Sequence, residues 1–151
     1  MKLTSCQTIL FPSDLSEVSR HSFEQLLSLM EGRASTVHVL HCYRLIGQTS
    51  DSMLLKQELE AKAQAVFGGW LAGLPRAMEA DVRFESVPGF FKNRVQAGIQ
   101  KYGADLLVLD NHLLPEFGST DRDALDALET LSCTTLMLPF SDQPQSLRIA
   151  R

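Results

Sequence analysis

The chain has 151 residues, enough for one domain with a single filled core and too few for two of ordinary size. With 44% hydrophobic and 21% charged residues, its composition is that of an ordinary soluble globule rather than a fibrous or disordered chain. A formal net charge of -4, with His and Arg scattered singly, argues against the basic patch that a nucleic acid or an anionic membrane selects.

No apolar run reaches the roughly 18 residues that a membrane span needs. The opening "MKLTSCQTILFPSD" meets Pro12 and Asp14 too early for a signal peptide, so the expected compartment is the cytoplasm. Cys6, Cys42 and Cys133 are an odd number at wide spacings, with no CxxC pair and no Cys/His cluster at zinc spacing. Reduced, buried thiols are the default reading. Cys42, beside His41 and Tyr43 at the end of an expected strand, is the one candidate for redox or nucleophilic work.

In chain order, "QTILFP" is an apolar run ended by proline and reads as a buried strand. The turn "PSDLSE" follows, with Asp14 and Glu17 at capping-box spacing. "EVSRHSFEQLLSLMEG" sets Val18, Phe23, Leu26, Leu27 and Met30 along one helical face, and Gly32 suits the stop. "STVHVLHCY" alternates and is β-branched, a second strand. The longest helical pattern is "DSMLLKQELEAKAQAVFGGWLAGL", with Leu55, Leu59, Ala63, Val66 and Trp70 at spacings of three and four. Trp70 and Phe67 read as core or interface.

"ADVRFESV" is a strand wet on one face, as at a sheet edge. "PGFFKNRVQAGIQKYG" carries Val95, Ile99 and Tyr102 on one helical face and stops at Gly103. "ADLLVLD" is almost wholly apolar, as a central parallel strand should be. A loop over 110–120 leads to "DRDALDALETL", with Ala124, Leu125, Leu128 and Leu131 on one face, and then to the strand "CTTLMLPF", stopped by Pro139. Residues 1–140 are read as the domain and 141–151 as a polar C-terminal tail.

Five strands alternating with four helices predict a single α/β domain with a parallel, doubly wound sheet. Ligands of such sheets sit outside the carboxyl ends of the strands, where strand order reverses. The loops after the first and fourth strands are therefore the places to look.

The stretches "TILFPSDLSEVSRHSFEQLLSLMEG", "VPGFFKNRVQAGIQKYGADLLVLDNH" and "CTTLMLP" resemble, in order and spacing over residues 7–139, the universal stress protein family. The resemblance implies a three-layer α/β/α domain, a five-stranded parallel sheet of order 3-2-1-4-5, and neighbouring loops at 12–14 and 110–120. ATP-binding members carry G-x-x-G, nine more residues and G-(S/T) after the fourth strand. Such glycines let backbone approach phosphate, and the last pair opens a helix whose N-terminus attracts anions. Set against them, from "LLVL" forward and Cys133 back, stand Asp110, Leu113, Asp121 and Arg122, so three glycines are gone.

Carboxylates there are unfavourable, because two unit charges about 4 Å apart repel by roughly 4 kcal/mol at an effective dielectric near 20. That matches the whole benefit a helix N-terminus offers an anion. Gly118, Ser119 and Thr120 remain a displaced candidate for phosphate, with a helix cap at Ser119 or Thr120 as the plainer reading. By resemblance Asp14 matches the acidic residue that contacts nucleotide, and Val39 or Leu40 lies on the strand supplying adenine contacts. Without ligand, Asp14 is a helix cap. His112 is a conceivable general base without a visible nucleophile. His21, His38 and His41 lack metal-site spacing, and no metal or cofactor is expected.

The last strand, Thr134, Thr135, Leu136, Met137 and Leu138, lacks the charges that guard an exposed edge. Pairing with a two-fold mate would cover it, and the resemblance implies the same homodimer. Three readings follow. The first is a dimeric stress-response binding or adaptor protein, not an enzyme, without an intact nucleotide motif. The second is an ATP- or adenine-nucleotide-binding relative, with Mg, using a non-standard phosphate loop at Asp14, Val39, Asp110, Gly118, Ser119 and Thr120. The third is a small α/β thiol or redox enzyme built on Cys42, His41 or His112.

Overall fold

The computed structural model describes residues 7–30, 35–45, 52–74 and 81–138. Cys6, the stops expected at Gly32 and Pro139, and the tail at 141–151 lie outside them. Five parallel strands form one sheet in the order β3-β2-β1-β4-β5. They are β1 (Gln7–Ser13), β2 (Ser35–Tyr43), β3 (Asp81–Pro88), β4 (Leu106–Asp110) and β5 (Thr134–Leu138). Helices α1 (Glu17–Leu29), α2 (Ser52–Ala72), α3 (Phe91–Tyr102) and α4 (Asp121–Glu129) connect them, with a 3-10 helix, Asn111–Phe117, between β4 and α4.

Strand periodicity of two sorts the apolar residues into two cores. Ile9 and Phe11 of β1, Val37 and Val39 of β2, and Leu106 and Val108 of β4 meet Phe23, Leu26 and Leu27 of α1 and Phe67 and Trp70 of α2. Their neighbours Leu10, Leu40, Leu107 and Leu109 face Val95 and Ile99 of α3 and Ala124 and Leu128 of α4. Helices therefore cover both faces, and β4, buried at all five positions, is central as its run of apolar residues predicts. β3 is an edge strand, also as predicted.

Several local expectations give way to packing. β1 continues one residue past Pro12, at a level where it pairs with β2 and its register with β4 has ended. On α1 the inner face near the N-terminus belongs to buried Ser19 and Ser22, while Val18 is only half-buried. In α2 the inward positions are Ala63, Phe67 and Trp70, and Val66 is 42% exposed. Phe67 and Trp70 are core, one of the two places read for them, and Phe67 rather than Val66 is held inward because its ring stacks on Phe84 of β3 at 4.7 Å and meets Phe23 of α1 at 5.5 Å. Leu55 and Leu125 are exposed as well. Gly103 closes α3 at φ 65°, the left-handed conformation in which glycine carries no Cβ penalty.

Candidate functional site

Strand order reverses between β1 and β4, and both strands end in polar residues. Asp110 closes β4 on the same face as Leu106 and Val108, so its side chain points under α1, with no exposure. There the Ser22 hydroxyl donates to Asp110 Oδ2. Asp110 Oδ1 accepts from the His112 backbone N–H at 3.1 Å and from the His112 Nδ1 at 2.7 Å. The other ring nitrogen, Nε2, reaches Asp14 Oδ2 in the β1–α1 loop at 2.8 Å. Ser22, Asp110, His112 and Asp14 thus form one hydrogen-bonded chain across the switch point, from buried helix to half-exposed loop.

An ionised carboxylate only accepts, so the arrangement suits an imidazole that carries protons on both nitrogens. Burial disfavours that charge, yet hydrogen bonds and opposite charges from Asp110 and Asp14 outweigh it and raise the His112 pKa above 6.5. Burial likewise works against the Asp14 carboxylate, but the Ser16 and His112 hydrogen bonds and the His112 charge leave its pKa lowered from 3.8. Asp14 also meets the field of His41 on β2. The His41 ring, hydrogen-bonded to Ser86 at 2.8 Å, is held by burial below its ordinary pKa.

Asp14 is not the helix cap expected of it. Ser16 is the N-cap and accepts from the Ser19 N–H at 3.2 Å, while Glu17 pairs with Arg20 instead of reaching back. Asp14 Oδ1 accepts from the Ser16 N–H at 3.0 Å and from the Ser16 hydroxyl at 2.6 Å, closing a local turn. Between them Leu15 takes φ 62°, a left-handed conformation costing a non-glycine residue about 1–2 kcal/mol. Ser13 offsets this by accepting the Leu15 N–H at 3.0 Å and bonding Ser19 at 2.6 Å beneath the loop.

The segment after β4 is not the open loop expected. Its 3-10 helix buries Leu113, Leu114 and Phe117 in the core shared with α3 and α4. Counted strictly forward from Asp110, the third motif glycine falls at Asp123 rather than Asp121; both are carboxylates in the first turn of α4. Gly118 is extended at φ -179°, and its missing side chain makes room for α4: a Cβ there would lie 2.5 Å from the Ala124 N. Thr120 caps α4 by accepting from the Asp123 N–H at 3.1 Å, and the Ser119 hydroxyl donates to Asp123 Oδ2 at the same distance. The Ser119 hydroxyl and the Asp123 and Ala124 N–H groups at the start of α4 are thus engaged by the chain's own oxygens.

Of the other residues named from sequence, Val39 is 1% exposed, its side chain inside the core beneath α1 and α2, and Leu40 is buried on the opposite face. Burial pushes the Cys42 thiol up to about 12, which leaves no thiolate at neutral pH. Sequence reasoning missed Ser19 and Ser22. Their signal is the spacing of Ser16, Ser19 and Ser22, which puts three hydroxyls on one face at the start of α1. Among the described residues no group of three His, Cys, Asp or Glu side chains is arranged to hold a metal, and no helix is long and apolar enough to cross a membrane.

No family model matches the chain, and no curated protein sequence is significantly similar to it. Solved structures are similar. The hypothetical protein MJ0577 superposes with a TM-score of 0.69 at 17% identity, over 91% of this chain and 98% of that one. A universal stress protein family member from Burkholderia pseudomallei gives 0.63 at 20% identity, over 88% and 96%. A universal stress protein family protein from Arabidopsis thaliana, with AMP bound, gives 0.61 at 12% identity, over 91% and 94%. The five-stranded parallel sheet of order 3-2-1-4-5, covered on both faces, is the universal stress protein fold.

Proposed function

We propose that the chain is a universal stress protein whose switch point is closed by its own side chains, and that it works as a dimeric binding or adaptor protein of the cytoplasm without chemistry of its own. The observation that carries this reading is the Ser22–Asp110–His112–Asp14 chain. A glycine after β4 would leave backbone bare for a phosphate; Asp110 instead sends a carboxylate under α1 and ties it to the neighbouring loop. The carboxylates of α4 and its satisfied cap oppose an anion at the second end of the loop.

Association is the remaining capacity. β5 lies at a sheet edge, and with α4 it borders a groove of about 540 Å³ lined by Leu125, Leu128, Leu131, Thr135 and Met137. A second copy pairing along β5 would cover both edge and groove.

Titration calorimetry with ATP and Mg tests the nucleotide part, beside the Asp110→Gly, Leu113→Gly double variant. The native chain is expected to give no heat and no thermal shift at millimolar ATP. Micromolar binding by the native chain would replace this reading with the second one, an adenine-nucleotide protein with a non-standard loop. Two observations favour that alternative: the Arabidopsis relative carries AMP, and His112, whose protonated form is favoured by Asp110 and Asp14, stands at the switch point. The thiol-enzyme reading loses its best nucleophile with the raised pKa of Cys42.

A further inference from the structure

We propose that His112 is a proton-operated latch: it holds the loop at residues 14–16 against the end of β4 while both ring nitrogens are protonated, and releases it when one proton leaves. The ring bonds to different parts of the chain, Nδ1 to Asp110 at 2.7 Å and Nε2 to Asp14 at 2.8 Å. Loss of a proton turns one of these contacts into two acceptors facing each other, which is repulsive. The ends are unequal. Asp110 is wholly buried and also held by Ser22 and the His112 backbone N–H, whereas the Asp14 side chain is 35% exposed and can turn to water. The contact to Asp14 is therefore the one that opens.

The loop is suited to respond. Leu15 sits at φ 62° between two hydrogen-bonded turns, one closed by Ser13 and one by Asp14, so the Asp14 side chain links the ring to a strained backbone. Once Asp14 lets go of the ring, that strain favours rearrangement. Among the described residues, the charged and titratable groups bearing on the latch are Asp110 from β4, Asp14 from the loop, and His41 of β2, which faces Asp14 and stays neutral through burial. The hydrogen bonds and charges of Asp110 and Asp14 outweigh burial and raise the His112 pKa, which moves the opening of the latch above 6.5.

The test is an NMR titration of the full chain following the His112 ring nitrogens and the backbone amides of Leu15 and Ser16. The ring is expected to titrate above 6.5, both nitrogens protonated below the midpoint, with the two amides moving at that same midpoint. Asp14→Asn, a change at an exposed side chain, should lower the midpoint by about one unit, the effect of an opposite charge at this distance, and uncouple the amides from it. Loop amides indifferent to the ring, or a midpoint unmoved in Asp14→Asn, would overturn the latch. Neither readout depends on nucleotide, so ATP binding by the native chain would sink the adaptor reading and leave this result to stand or fall separately.

Discussion

Ser22 shows how much one hydroxyl carries. It donates to a carboxylate with no access to water, so Asp110 Oδ2 has no substitute donor from solvent. Ser22→Ala is expected to cost about 1–3 kcal/mol, the penalty for leaving a buried acceptor unmet. Urea denaturation would measure it, and a loss below about 0.5 kcal/mol, the range of an ordinary surface change, would mean that Asp110 is satisfied in another way. The site was partly legible residue by residue. Asp14, Asp110 and His112 could be singled out because they sit at the ends of strands whose topology was readable. Their bonding could not, because residues 14 and 112 are 98 positions apart in sequence and meet only when β1 and β4 lie side by side.

At the scale of elements, α4 and β5 raise the question of association. Leu125 points away from the core, 42% exposed, beside the edge strand. Leu125→Lys should leave the monomer's fold intact, since exposed positions tolerate charge, while opposing burial of the groove against a second copy. Sedimentation is expected to show a dimer for the native chain and a shift toward monomer for Leu125→Lys. A native chain that sediments as a monomer at tens of micromolar would refute pairing through β5. Strands were more legible than helix faces, because alternation in β1, β2 and β4 assigns each side chain to one layer. In α2 the helical period allowed several stripes, and the choice of Phe67 over Val66 was made by the aromatic rings of β3 and α1.

For the whole molecule, the polar chain at the switch point links stability to pH in two directions. The pKa of His112 is raised on folding, so its contribution is fully present below 6.5 and lost as pH rises through the folded value. The pKa of Asp14 is lowered, so its contribution is present above 3.8 and lost as pH falls through the folded value. The urea midpoint should therefore decline at both ends, and Asp14→Asn should flatten the acid limb and shallow the alkaline one. Identical profiles for the native and variant chains would show that the bridge contributes nothing to folding. Much of the architecture was determined by the sequence alone: the alternation of strands and helices, the central β4, the edge β3, and hence the place where a site must lie, because periodicity and right-handed crossovers are local or topological rules. Which side chains meet at that place was decided only by tertiary structure. The preference of Asp14 for a turn over a cap, the 3-10 helix after β4 and the two-sided bonding of His112 depend on which groups meet across the sheet once water has been excluded, and burial, not spacing, sets the strength of those bonds.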